Sequence, residues 1–253
     1  MRIGIVVLAT RGYFPLGIRF IKRFMQFYKR DKTIIFYFFS DLNPKEYLPD
    51  NYNFVEYIHT TNNNWEEGTD MKFPCIMNLE NRDVDYLFYF DADTNVDKPF
   101  DENWFLGDMV GGQHYNDQGS MLTEGRPFER NSRSKAYIPH DTGLPQMYFL
   151  GAFFGGTKNK MIAFCKVMRS YQLADREWGY EPGVNDESYI NCEFHFNPPE
   201  KIVLSKDFKF IVSCKGGIGD PRYMDLDVEQ IKLELKAARN FPINIQSGKV
   251  SIE

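Results

Sequence analysis

The segment Asp85-Tyr-Leu-Phe-Tyr-Phe-Asp91-Ala-Asp93 constrains this chain most: an aromatic-rich apolar run, as a buried strand would have, stops abruptly at two carboxylates. Residues two apart on an extended chain point to the same side, so Asp91 and Asp93 can converge on one cation. Hard divalent ions such as Mg²⁺ or Mn²⁺ take oxygen ligands and leave positions open for phosphate oxygens. The pair therefore reads either as the holder of a metal–diphosphate group or as an ordinary acidic turn closing a strand.

Around this segment, strands and helices alternate. Arg2–Ala9 is an apolar, β-branched run, and Leu16–Tyr28 follows with helical periodicity. Thr33–Phe39 and Phe54–Ile58 read as strands, Asp70–Asn81 as a helix with Pro74 in its first turn, and Tyr86–Phe90 as the strand before the carboxylates. Beyond a Gly-, Asn- and Ser-rich stretch between Gly111 and Met147, Tyr148–Gly156 reads as a strand and Lys158–Leu173 as a helix. Asp186–Phe194 begins another helix, Lys201–Leu204 and Phe208–Ser213 are short strands, and Val228–Arg239 is a polar helix. The last dozen residues read as peripheral. Such alternation predicts an α/β fold with a mostly parallel, Rossmann-like central sheet flanked by helices and ligands outside the strand C-terminal ends. With no repeat or linker in its 253 residues, the chain reads as one domain.

A net charge of −5 argues against nucleic acid as partner. No apolar run reaches the roughly 20 residues of a membrane span, and the four scattered cysteines, without a CxxC pair, suggest reduced cytoplasmic thiols.

Other groups carry chemistry under one reading and packing under another. Asp186 and Glu187 open a helix, either as capping acids or as carboxylates set beside an anomeric carbon. Leu150-Gly151-Ala152 with Gly155-Gly156 are small enough to line a sugar pocket or to let a strand and helix approach closely. His114 is a lone histidine at the start of the long loop, and Lys72 is either a solvated helix lysine or a cation for sugar or phosphate oxygens.

Taken in order, several pieces resemble glycosyltransferase family 6, the retaining α-1,3-galactosyl- and N-acetylgalactosaminyltransferases that include the ABO blood-group enzymes. They are Tyr37-Phe-Phe-Ser-Asp41, Trp65 with Lys72, Asp83-Val-Asp-Tyr-Leu87 running into Asp91-Ala-Asp93, Ala136-Tyr-Ile-Pro139, Tyr148-Phe-Leu-Gly-Ala-Phe-Phe-Gly-Gly156 and Asp186-Glu-Ser188. The resemblance covers about Ile3 to Phe210. It implies a GT-A fold, a UDP-sugar donor, an oligosaccharide or glycan acceptor, and Asp91 and Asp93 as a DXD motif holding Mn²⁺ (or Mg²⁺) against the diphosphate. It also implies that Leu8, Ala9, Thr10 and Tyr13 meet uridine, that Lys72 replaces a donor-contacting arginine, and that Asp186 holds the donor sugar. Glu187 matches the catalytic carboxylate, acting by double displacement or in a front-face reaction, and also faces the acceptor, as His114 does. Leu150 and Ala152, flanking Gly151, match positions that separate galactose from N-acetylgalactosamine donors. Leucine is like the one class and alanine like the other, with a slight lean to galactose.

The chain departs from the pattern on the acceptor side, where Val184-Asn185 replaces a Trp-His pair and Gln113–Pro127 replaces the usual loop. The basic tail that closes over UDP is not evident beyond Phe210, though Lys215 before Gly216-Gly217 could contact phosphate. A soluble bacterial or phage-type enzyme is the expectation. The rivals are a GT-A enzyme using another sugar nucleotide such as UDP-glucose, and a sugar- or nucleotide-binding module without turnover.

Overall fold

The structure is a computed structural model, and it describes residues 1–29, 32–61, 65–114, 128–144, 147–212, 243–246 and 249–252. The expected helix over Val228–Arg239, Lys215 with its glycines, and most of the loop Gln113–Pro127 lie outside the described residues.

A seven-stranded sheet is built from β1 (Arg2–Leu8), β2 (Thr33–Ser40), β3 (Val55–His59), β4 (Tyr86–Asp91), β6 (Met109–Gln113), β7 (Phe149–Thr157) and β8 (Lys201–Val203). Its order is β3-β2-β1-β4-β7-β6-β8. Most strands are parallel, β2 with β3 and β6 with β8 among them, while β6 runs antiparallel to β7. The sheet is therefore mixed. Helices α1 (Phe14–Phe27), α2 (Trp65–Met77), α3 (Lys158–Glu177) and α4 (Asn185–Phe196) complete the α/β fold.

The chain falls into two compact units. One comprises Met1–Gly4, Asn63–Tyr89 and Glu102–Phe208, the other Ile5–Asn62, Phe90–Asp101 and Lys209–Glu253, so β1 and β4 are divided between them.

In the second unit, α1 lays Phe20, Ile21 and Phe24 onto the strands. Phe24 packs edge-on against Phe36 (centroids 5.2 Å apart) and Phe100 (4.9 Å), and Phe20 meets Phe90 at 5.3 Å. Each buried phenylalanine contributes roughly 1.5–3 kcal/mol by removal from water. Pro15 supplies the first turn of α1, which starts at Phe14, two residues before the periodic pattern. Close approach is obligatory at Gly17, where a Cβ would lie 2.6 Å from that of Ala9 and 2.8 Å from the Phe38 ring. The short strand expected over Phe208–Ser213 is β9 (Phe210–Val212), which pairs antiparallel with β5 (Thr94–Val96); β5 was not legible in the sequence, nor were β10 (Ile243–Gln246) and β11 (Lys249–Ile252), which pair antiparallel with each other. The C-terminal residues expected to be peripheral thus include a hairpin.

In the first unit, α2 corrects the expected helix over Asp70–Asn81. It begins at Trp65, ends at Met77, and carries Pro74 in its interior rather than its first turn. An interior proline costs about 3 kcal/mol. Burial of the adjoining Phe73, Cys75 and Ile76 outweighs that penalty. Here too the aromatic core is dense, with Phe194 of α4 against Phe149 (4.9 Å) and Phe164 (5.0 Å). Gly155 is a packing glycine: its Cβ would fall 2.2 Å from the Phe88 ring and 2.6 Å from a backbone oxygen.

The feature that shapes this unit is an irregularity in the pairing of β7 with β6. Pairing with β6 runs regularly from Met109↔Gly156 to Gly111↔Phe154 and resumes at Gln113↔Phe149. Residues 150–153 on β7 therefore stand opposite Gly112 alone. A bulge of this kind releases backbone groups from the ladder and re-aims them, and bulges concentrate beside functional sites.

Candidate active site

The bulged backbone of Gly151 is the centre of a compact charged cluster. Its N–H donates to the Glu187 carboxylate (2.7 Å), and its carbonyl accepts from Lys72 Nζ (2.9 Å). Lys72 also donates to Asp186 at 2.5 Å and lies over the Tyr89 ring, 4.7 Å from its centroid. With Lys72 only 4% exposed and Asp186 6%, this pair is buried. Lys72 is thus no solvated helix lysine. Buried charges persist only when paired and hydrogen-bonded, and Asp186, Gly151 and the Tyr89 face supply those partners.

The capping alternative for Asp186 and Glu187 fares no better. Val184, at the N-cap position of α4, makes no side-chain capping bond, and the two carboxylates turn to Lys72 and Gly151. A side chain at 151 would crowd both, because its Cβ would stand 3.1 Å from Glu187 Cβ and 3.3 Å from Asp186 Oδ2. Gly151 and Gly155 therefore have different roles, one beside carboxylates and the other in sheet packing.

Glu187 is partly exposed, yet its carboxyl is pushed up from 4.5 to about 7. Burial is the largest cause and the neighbouring Asp186 charge adds to it, while the Gly151 N–H, the Tyr148 hydroxyl and Lys72 pull the other way. His114 joins this neighbourhood through Tyr148: its backbone N–H bonds the Tyr148 carbonyl at 2.7 Å and its ring meets the Tyr148 ring edge-on at 5.7 Å. Leu150 and Ala152, either side of Gly151, are both buried.

Sequence reasoning passed over the groups that hold this cluster. Asn191, one turn after Glu187, grips the Phe149 backbone through both its N–H (2.7 Å) and its carbonyl (2.9 Å), and donates to the Glu187 carbonyl at 2.8 Å. A polar residue buried mid-helix is the one hint the sequence offered. Asp175 of α3 accepts from Ser134 Oγ (2.6 Å), Lys135 N (2.8 Å) and the Tyr189 hydroxyl (3.1 Å). Together with Arg130, which donates to the Ile138 and Pro139 carbonyls, it pins the segment Ala136-Tyr-Ile-Pro139.

The second unit holds the other predicted residues. The chain winds from β1 through β2 to β3, then returns to set β4 on the other side of β1. Such a reversal opens a crevice at the strand C-terminal ends, where α/β sheets bind ligands. Leu8 ends β1, and Ala9 is clamped there by its N–H to Phe39 (2.8 Å) and its carbonyl to Ser40 Oγ (2.6 Å). Thr10 accepts from Tyr13 N (3.0 Å), and Arg11 adopts a left-handed φ of 53° with its N–H on Asp41. At the β4 end the strand stops at Asp91, and Ala92-Asp93 form a turn into β5. The side-alternation argument thus fails at Asp93, because the backbone is no longer extended there. The two carboxylates nonetheless act on a common neighbour. The Tyr13 phenol is raised well above its ordinary value, first by burial and then by the charges of Asp93 and Asp91.

That shared negative field, made by two half-buried hard oxygen donors, suits a Mn²⁺ or Mg²⁺ ion. Among the described residues there is no cluster of three or more His, Cys, Asp or Glu side chains able to hold a metal. The pair would therefore share any ion with oxygens from elsewhere.

The mostly parallel, helix-flanked sheet is that of a known class of protein. Residues 1–214 match glycosyltransferase family 6, and the chain belongs to that family. Among individual relatives, it is 31% identical to globoside α-1,3-N-acetylgalactosaminyltransferase 1 of Gallus gallus, over 80% of this chain and 60% of that protein. It is 26% identical to histo-blood group ABO system transferase 2 of Rattus norvegicus (81% and 62%) and 27% identical to the O-antigen biosynthesis glycosyltransferase WbnI of Escherichia coli (64% and 73%). The chain thus spans about 60% of the length of the globoside transferases it matches. Among the described residues, no helix is long and apolar enough to cross a membrane.

Proposed function

We propose that this chain is a retaining glycosyltransferase that moves galactose or N-acetylgalactosamine from a UDP-sugar to a glycan hydroxyl, forming an α-1,3 linkage, with the whole chain serving as one GT-A catalytic domain. Family membership and the names of the relatives support the reaction class. The observation that carries the reading is Glu187: a partly exposed carboxylate, fixed by a backbone N–H at a sheet bulge and tuned to titrate near neutrality. Perturbed carboxylates held in this way are the mark of catalytic groups.

In this reading the bond between the anomeric carbon and the β-phosphate oxygen breaks, and its electron pair leaves with UDP. The acceptor hydroxyl oxygen bonds to that carbon with retention and loses its proton to the departing phosphate or to solvent. Glu187, as an anion, faces the positive charge that develops at the anomeric carbon. Double displacement and front-face transfer both require that anion. Asp186, oriented by Lys72, binds sugar hydroxyls, and His114 contributes to the acceptor side. Leu8, Ala9, Thr10 and Tyr13 would receive uridine. Asp91 and Asp93 would hold Mn²⁺ or Mg²⁺, which when bound neutralises charge on the diphosphate leaving group. Ala152 disfavours an N-acetyl group, giving galactose the advantage. The buried free thiols of Cys75, Cys165 and Cys192 fit a cytoplasmic setting.

The test is UDP release by purified protein from a panel of UDP-sugars, with water replacing the unknown acceptor. Turnover is expected with UDP-galactose or UDP-N-acetylgalactosamine, and Glu187→Gln should lower it at least ~100-fold. Release from UDP-glucose alone would change the donor assignment. No release from any donor would leave only a binding module.

A further inference from the structure

The turn that carries Asp186 and Glu187 is held by the rest of its unit at nearly every residue. The Gly183 N–H donates to Glu129 Oε2 (3.2 Å), and Asn185 Nδ2 donates to Thr69 Oγ1 (3.1 Å). Asp186 takes the Lys72 ammonium, and Glu187 takes the Gly151 N–H. These partners come from α2, from the segment before Ala136, and from β7, while α4 has no side-chain N-cap of its own. Asn185, its first residue, sits at φ +38°, a left-handed conformation that asparagine tolerates better than other non-glycine residues but that still needs outside support. Glu129 is buried and doubly engaged, since its other oxygen accepts the Asn131 N–H at 2.7 Å.

The geometry points to Thr69, Asn185 and Glu129 as positioning residues that set the start of α4 and thereby the place of the Glu187 carboxylate. Asn185 lies at a position from which a side chain could instead meet the acceptor. Its amide is used inward, on Thr69, so its effect reaches the reaction through the helix. A misplacement of about 1 Å costs on the order of 100-fold in rate, and loss of one tether among several should cost less. This inference rests on the proposed transferase reading and adds residues that the reaction itself does not touch.

UDP-galactose and UDP-N-acetylgalactosamine hydrolysis without any glycan tests it, because no acceptor is present to be contacted. Thr69→Val, which keeps the shape and removes the acceptor oxygen, should lower turnover about tenfold with the donor KM within about twofold, and Thr69→Ser should restore it. Asn185→Gly, which keeps access to positive φ, should match Thr69→Val, and the two combined should lose no more than either alone. Glu129→Gln should lower turnover in the same way. In a Glu187→Gln background none of these changes should reduce the residual rate further. Hydrolysis that is unchanged while transfer to a glycan falls would overturn the inference and place Asn185 at the acceptor. Losses that persist undiminished in the Glu187→Gln background would also overturn it, showing a general structural defect. If the wild-type protein turns over and Glu187→Gln does not, only the positioning claim is at stake; if the wild type releases no UDP, both fall together.

Discussion

Asp91 and Asp93 in one unit and Asp186 and Glu187 in the other are two pairs of carboxylates in different surroundings. The first pair closes a strand in a turn, half-buried, and imposes its charge on the Tyr13 phenol. The second is built into a lattice of donors, with Asp186 on a buried lysine and Glu187 on a backbone N–H. Carboxylates lending a negative field to a crevice suit a cation, whereas the proposed role of Glu187 uses an anion that burial leaves poorly solvated, with its carboxyl lifted to about 7, and that a developing positive charge would stabilise.

Exchanging charge for neutrality separates the pairs most sharply. Asp91→Asn with Asp93→Asn, or chelation by EDTA, should lower turnover about 1,000-fold, the equivalent of roughly 4 kcal/mol. Full activity in chelator would end the metal assignment. Next in size is Lys72→Met, which strands the buried Asp186 charge and should cost about 3–5 kcal/mol of stability in denaturant melts. Adding Asp186→Asn should recover much of it, and a near-neutral single change would mean that the pair is not buried in solution.

The raised Glu187 carboxyl supplies a third test. Turnover needs the anion, so the hydrolysis rate should rise with pH through about 7 and level off above it. The folded value lies above the ordinary 4.5, so the group's contribution to stability is complete below 4.5 and is lost as pH rises through 7. Glu187→Gln should therefore gain in melting temperature relative to the wild type across that window. A rate profile centred near 4.5 would mean that the Glu187 carboxyl is not raised. The smallest effect is expected from Ala152→Gly, a several-fold rise in use of UDP-N-acetylgalactosamine relative to UDP-galactose. An unchanged ratio would place the donor-selecting wall elsewhere.

How much could be read in advance follows the same division. The strands β1, β2, β4 and β7 were legible because each is a continuous apolar run, and α1 because its phenylalanines recur at helical spacing. The short strands β3, β8 and β9 were legible too, whereas β5 and β6 escaped. Met109-Val-Gly-Gly-Gln113 contains a glycine pair that reads as a turn, yet its small residues are what the neighbouring phenylalanine rings need. The early start of α2 and its interior proline were hidden because burial overrode local propensity. At the site, adjacent acids announced themselves, whereas their partners did not. Thr69 lies 116 residues from Asn185, Lys72 114 from Asp186, and Gly151 36 from Glu187. Spacing within a segment carries no signal for pairs made by folding.

The four-against-one register of β7 opposite Gly112 has a consequence for how such a protein can change. Residues 150–153 have a single residue of β6 opposite them, which leaves the Gly151 N–H to Glu187 and its carbonyl to Lys72. Leu150 and Ala152 are buried, so exchange there is confined to side chains of similar volume, while Gly151 keeps hold of Lys72 and Glu187. In the proposed reading, small changes of volume at these two positions would suffice to shift sugar preference on an otherwise unaltered scaffold.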